Sequence, residues 1–205
     1  AYTILRNHKH LKSNDKFHTQ LIVSTHSNHI AHEVDFNSLR YFKRIVPKTK
    51  ELATSKIMNL SSVFGKDDLT TKFVIRYLRT THCDVFFADV VILVEGSAEK
   101  MLLPHFISGK HPNLSNAYLS IIEIDGSHAH KLKPLIESLD VLTLIITDLD
   151  PIDTQKNRSS VLPEKGKSYE TGNSTLAKWV PKERNLDKLL EISLSEKETN
   201  HGNVR

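Results

Sequence analysis

Between residues 88 and 150, short apolar runs alternate with amphipathic stretches. Val90 to Val94 and Val141 to Thr147 are almost continuously apolar, and Tyr118 to Ile124 is a third strand-like run. Ala98 to Ile107 and His128 to Leu139 lie between them with helical spacing. Strands that are apolar on both faces belong between two helical layers, as in a parallel sheet. The expected fold class is therefore α/β, a parallel sheet flanked by helices. Such sheets present ligand groups at the carboxyl ends of their strands. Here those ends carry Glu95, Asp125 and Asp148.

The flanking segments are less regular. The first eighteen residues are polar, with a short helix expected around Tyr2 to Leu11, and Gln20 to Thr25 reads as a buried strand. Ser27 to Val34 has the pattern of a helix capped by Ser27 or Asn28, and Leu39 to Val46 that of a half-exposed strand closed by Pro47. Asp67 or Asp68 can cap a helix whose apolar positions are Leu69, Phe73, Tyr77 and Leu78. After Pro151 the chain is polar through Lys167. Thr171-Gly172-Asn173-Ser174 then leads into a short helix with Leu176 and Trp179, a further helix is expected from Lys182, and the residues after Glu191 read as a poorly structured tail.

Charge divides the 205 residues unevenly. Residues 1–87 hold 14 basic and 7 acidic side chains, residues 88–205 hold 14 and 17, and the whole chain is +4. A basic half beside a carboxylate-rich half suits a polyanionic partner together with a bound cation. The single cysteine, Cys83, excludes an internal disulfide framework and a thiolate zinc site, so a reducing cytoplasm is expected. The apolar runs are too short for a membrane span, and the twelve histidines form no HExxH pattern.

The carboxylates form a pattern. Glu95 follows a buried strand, Gly96 permits a tight turn, and Glu99 lies one helical turn on, where both acids can face one cavity. Asp148 and Asp150 end a second buried strand two residues apart, with side chains on the same side if the backbone stays extended. Acids crowded at one sheet edge repel, and hard oxygen-liganded cations such as magnesium or manganese relieve that repulsion. Asp125 and Asp153 are further candidates for the cation, though loop and capping roles suit them better. Thr171, Asn173 and Ser174 offer oxygens to a metal or phosphate, or an ordinary helix cap.

The strand, Glu95, Gly96 and helix unit together with Asp148 and Asp150 resembles the Toprim domain of topoisomerases, primases and certain nucleases. Gln20 to Ser27 looks like the end of an ATP-binding-cassette ATPase, with His26 in the place of the switch histidine. An ATPase end followed by Toprim is the order of the overcome-lysogenisation-defect (OLD) nucleases. Thr19 to Arg44, the Val-Glu-Gly-x-x-Glu motif and the Thr-Gly-Asn-Ser-Thr run with Trp179 most resemble their class 2 members.

This resemblance implies an ATPase end over residues 1–87 and a Toprim domain, incomplete at its C-terminus, over 88–205. It implies a DNA endonuclease or nickase of a phage-defence type, with Glu95, Glu99, Asp148 and Asp150 as catalytic metal ligands for two Mg2+ or Mn2+ ions. ATP would bind only in a full-length protein, since no Gly-x-x-x-x-Gly-Lys phosphate loop occurs here. The expected partners are DNA and a second copy in a homodimer, with no membrane. Lys43, Arg44, Lys48, Arg76 and Arg79 are candidates for phosphate contacts. The family's catalytic lysine has no assigned counterpart, with Lys131, Lys167 and Lys178 as stand-ins. A topoisomerase would need a nucleophilic tyrosine, for which only Tyr169 lies downstream of the acids. The same motifs would also suit a primase-type Toprim enzyme or a noncatalytic DNA-binding or dimerisation module.

Overall fold

The computed structural model describes residues 22–45, 47, 52–63, 72, 74–75, 78, 83–124, 127–199 and 203–205. Its centre is a parallel sheet of β3 (Val90–Val94), β4 (Leu119–Glu123) and β5 (Leu142–Ile146) in the order β4-β3-β5. It is preceded by α1 (Asn28–Glu33) and an antiparallel ribbon of β1 (Arg40–Ile45) and β2 (Thr54–Asn59). β3 lies between its neighbours, in register Val94↔Glu123 on one side and Val94↔Ile146 on the other. This explains the unbroken apolar run: Val91 to Val94 are each no more than 2% exposed.

Alternate residues of β3 serve two cores. Val91 and Leu93 pack in a core with Ile122, Leu135, Ile136, Leu139 and Trp179. Ile92 and Val94 pack with Ile107 of α2 (Ser97–Lys110). α3 (Pro112–Ser115) follows α2 and leads into β4. The helix expected over 128–139 is divided into a 3-10 turn at Ala129–Leu132 and α4 (Lys133–Leu139). Pro134, which lacks an N–H, sits in the first turn of α4, where none is required. Beyond β5 lies a small antiparallel sheet in the order β7-β6-β8, formed by β6 (Pro151–Asp153), β7 (Ser159–Ser160) and β8 (Glu170–Thr171). The short helices α5 (Ser174–Lys178) and α6 (Leu186–Glu191) follow.

Two expectations are corrected. Ile22 to Ser27 has no strand structure, and Ile22 is 81% exposed. A strand requires a backbone partner, and none pairs with this segment among the described residues. The tail is also not structureless throughout. Val204 is fully buried and bridges in parallel to Thr143. The N–H groups of Thr143 and Ile145 donate to Asn203 O and Arg205 O at 2.7 and 2.6 Å, and Arg205 N–H returns a bond to Thr143 O at 2.9 Å. These residues cover the free edge of β5. Among the described residues, no helix is long and apolar enough to cross a membrane.

The ribbon is tied to the sheet domain through Lys43. Its ammonium binds the Asp140 carboxylate and donates to the carbonyls of Leu139 and Asp140 at 3.3 and 2.7 Å. Farther upstream, Asn28 Nδ2 donates to Asp84 Oδ1 at 2.7 Å.

Candidate metal centre

Glu95 is the first residue beyond β3 and Thr147 the first beyond β5. Since Val94 pairs with Ile146, the register places them side by side at the carboxyl ends of adjacent strands. The Thr147 hydroxyl donates to Glu95 Oε1. Asn173, which is fully buried, reaches the same point from beyond β8. Its Oδ1 accepts the N–H groups of Thr175 and Leu176 at 2.9 and 3.3 Å, capping α5. Because Oδ1 is occupied by two donors, the orientation of the amide is fixed, and its NH2 group must point to the strand ends.

Asn173 Nδ2 has four oxygens around it: Thr147 Oγ1 at 2.7 Å, Glu95 Oε1 at 2.8 Å, Asp148 O at 3.0 Å and Asp150 Oδ2 at 3.5 Å. An amide NH2 has only two hydrogens. The acceptors therefore outnumber the donors, and the site is rich in carboxylate, hydroxyl and carbonyl oxygen, the donor set of Mg2+, Mn2+ and Ca2+. These residues fit a hard divalent cation.

The acids are not all drawn to this point. Among the described residues, no group of three or more His, Cys, Asp or Glu side chains is arranged to hold a metal ion. Glu95 and Asp150 meet at the Asn173 amide, whereas Asp148 reaches it with its backbone carbonyl. The extended geometry expected of the Asp148–Asp150 pair does not hold, since Asp150 has φ +46°. That left-handed turn is held by Gly172 N–H, which donates to Asp150 O at 2.7 Å, and by Thr171 Oγ1, which donates to Leu149 O at 2.6 Å. Gly172 is needed for this close approach: a Cβ there would stand 3.2 Å from Asp150 O.

Gly96 has a different role from the one expected. Its backbone is extended, at φ −138° and ψ 173°, a conformation open to any residue. Its missing side chain instead leaves room for Glu99, whose Oε2 lies 3.1 Å from where a Cβ would be. Glu99 thus folds back over Gly96 from the first turn of α2. Nearby, Ser97 Oγ donates to Glu123 Oε1 at 2.7 Å, and Lys100 lies 3.7 Å from the same carboxylate, so the start of α2 is fastened to β4. Sequence reasoning does not single out Thr147 or Glu123. A hydroxyl residue directly before Asp148, in register with Glu95, is the available signal for Thr147.

A basic group lies against α5, where His130 N–H donates to Thr175 Oγ1 at 3.3 Å. His130 Nδ1 meets Ser127 O at 3.0 Å, and His128 stacks on the His130 ring at 6.3 Å. Burial pushes the His130 imidazole below its ordinary pKa, the Ser127 contact opposes this, and Lys178, His128 and Lys131 add to the lowering. Lys167 pairs instead with Glu164 at 3.6 Å. Asp153 Oδ1 caps a turn by accepting Gln155 N–H at 2.9 Å. Arg44 is exposed on the ribbon, while Lys43 is engaged with Asp140. His26 is exposed. Asp125, Lys48, Arg76 and Arg79 lie outside the described residues.

Residues 86–150 match the family model described as overcoming lysogenization defect protein-like, TOPRIM domain. A curated relative, endonuclease GajA of Bacillus cereus (strain HuB5-5), is 31% identical over 202 residues, covering 87% of this chain and 27% of the relative. The chain thus spans about a quarter of that relative's length.

Proposed function

From the premise that the chain carries the Toprim domain of the OLD-like family, we propose that it hydrolyses DNA phosphodiester bonds with divalent cations, Mg2+ or Mn2+, held by Glu95, Glu99, Asp148 and Asp150. The observation that carries this reading is the convergence of Glu95 and Asp150 on one buried amide, beside the Thr147 hydroxyl and the Asp148 carbonyl. The name endonuclease borne by the relative supports the reaction class. When bound, divalent cations make water a stronger acid and offset negative charge on the attacked phosphate and the leaving oxygen.

The chain's own residues supply the arrangement. Glu95 and Asp150 offer carboxylate oxygens, Asp148 a carbonyl and a carboxylate, and Glu99 a further carboxylate from the start of α2. A second ion, the two-metal form of the proposal, would draw on Glu99 and Asp148. Thr147 and Asn173 orient Glu95. The proposal extends to Arg44, Arg76 and Arg79 as contacts to DNA phosphates. It takes residues 1–87 as the end of an ATPase whose nucleotide and homodimer partner belong to a longer protein, and 88–205 as the Toprim unit.

The test is nicking or linearisation of a supercoiled plasmid with added Mg2+ or Mn2+. Cleavage should vanish in chelator, and Glu95→Ala and Asp150→Ala should abolish it while leaving DNA binding intact or tighter, since each removes a charge that repels phosphate. Wild-type cutting in chelator, or normal cutting by Glu95→Ala, would defeat the metal-nuclease reading and favour a noncatalytic DNA-binding or dimerisation module.

A further inference from the structure

We infer that Asn173 and Thr147 are positioning residues that preset the Glu95 carboxylate for a divalent cation, with Asn173 linking that preset to the cap of α5. The inference rests on the proposed metal site and goes beyond its ligands to the residues that aim them.

A free glutamate side chain samples several rotamers, and holding it in one costs entropy that cation binding must otherwise supply. Here Glu95 Oε1 accepts from both Thr147 Oγ1 and Asn173 Nδ2, the latter at 2.8 Å. Asn173 Nδ2 also donates to Thr147 Oγ1 at 2.7 Å, so the hydroxyl serves as acceptor from the amide and as donor to the carboxylate. The three side chains form a closed triangle. Asn173 cannot turn away without releasing Thr175 N–H and Leu176 N–H from its Oδ1.

The same amide offsets the repulsion between the assembled acids. Asp150 Oδ2 lies 3.5 Å from Nδ2, and the Asp148 carbonyl 3.0 Å. With its two hydrogens directed to Glu95 and Thr147, the amide acts on Asp150 through the positive end of its dipole, which lessens the repulsion between the carboxylates gathered there. Hydrogen-bonding partners that orient metal ligands are worth about 10–100-fold in metal affinity or activity when lost.

The experiment titrates Mn2+ alone into the protein without DNA, by calorimetry, alongside thermal unfolding of each variant. Asn173→Ser keeps an effective cap residue, because serine caps about as well as asparagine, but is too short to reach Glu95 as well. Thr147→Val keeps the side-chain shape without the hydroxyl and has no capping role. Both should raise the Mn2+ dissociation constant about 10-fold or more, and Thr147→Ser should restore the wild-type value. Asn185→Ser is the matched control: Asn185 caps α6, accepting Lys188 N–H at 3.0 Å, and makes no hydrogen bond to the site. It should leave Mn2+ binding unchanged.

If Asn173→Ser and Thr147→Val bind Mn2+ as the wild type does, the positioning role is overturned. If Asn185→Ser weakens binding as much as Asn173→Ser, the effect is one of capping, and the role is again overturned. A wild-type protein that takes up no Mn2+, or a Glu95→Ala protein with an unchanged constant, would bring down the metal-site reading itself and this inference with it.

Discussion

Replacing Gly172 with alanine tests whether the close approach of the β8 backbone to Asp150 sets the site. The new carbon would stand 3.2 Å from Asp150 O, 3.3 Å from Ile152 Cγ2 and 3.6 Å from Asp150 Cβ. The first two distances are tighter than ordinary carbon contacts, so something must shift by a few tenths of an ångström. Asp150 O is poorly placed to yield, because it accepts Gly172 N–H at 2.7 Å and belongs to a residue already held at φ +46°. Overpacking of this kind costs about 1–3 kcal/mol, which for a chain of this size lowers Tm by roughly 2–4 °C per kcal/mol. Asp150 Oδ2 is already 3.5 Å from the Asn173 amide, so even a small displacement breaks that contact. Gly172→Ala should therefore melt several degrees lower and cut supercoiled plasmid more slowly at limiting Mn2+. Gly109→Ala is the control. Nothing lies within 4 Å of its added carbon, and alanine near the end of α2 should be neutral or stabilising by up to about 1 kcal/mol. Melting by circular dichroism and plasmid nicking on both variants decide the matter. A Gly172→Ala protein with wild-type Tm and wild-type cleavage would refute the reasoning.

Three further outcomes follow from contacts elsewhere. Lys43→Met and Asp140→Asn should show a coupling of about 0.5–1 kcal/mol in a double-mutant unfolding cycle, given a pair whose Asp140 side chain is 59% exposed; Lys43→Met should leave DNA affinity unchanged, and a drop in affinity without a coupling would restore Lys43 as a phosphate contact. Removal of residues 203–205 should cost at least about 2 kcal/mol through loss of the Val204 burial, read as a lower urea midpoint, whereas an unchanged midpoint would mean that the β5 edge needs no cover. His130, whose folded pKa is depressed chiefly by burial, contributes stability that is present above the ordinary value of about 6.5 and lost as pH falls through its folded value. His130→Gln should therefore flatten the fall of Tm on acidification, and identical pH profiles for the two proteins would count against this.

The core of the sheet domain was legible because its signal is local. Val90 to Val94 is apolar on both faces because β3 is covered by helices and paired on both edges, and Glu95 at its tip follows directly from that pattern. The family resemblance read from these motifs agrees with the matched Toprim domain over 86–150. Ile22 and Val23 misled for the complementary reason: an apolar run shows what a strand would gain by burial but not whether a partner exists. The pairing of Val204 with Thr143 was invisible because it joins residues far apart in sequence through backbone atoms, which carry no residue code. At the site, the interval from Asp148 to Asp150 suggested parallel side chains only under an assumed extended backbone. The left-handed turn at Asp150 depends on Thr171 and Gly172, some twenty residues on. Asn173 was legible as either a cap or a site residue; its two amide atoms let it do both.

Asp140 shows what this molecule would lose under a purely local optimisation. It ends α4 at φ +50°, ψ 45°, where glycine is the conformationally easy choice and a residue with a Cβ costs about 1–2 kcal/mol. One carboxylate oxygen holds Lys43 from the ribbon, and the other accepts Asn203 Nδ2 at 3.1 Å from the C-terminal segment. The position is a mooring shared by two stretches of chain that lie 97 and 63 residues away. An engineer ranking substitutions by backbone comfort would choose Asp140→Gly and would relax one turn of helix while giving up the side-chain ties to the upstream ribbon and to the C-terminal segment together.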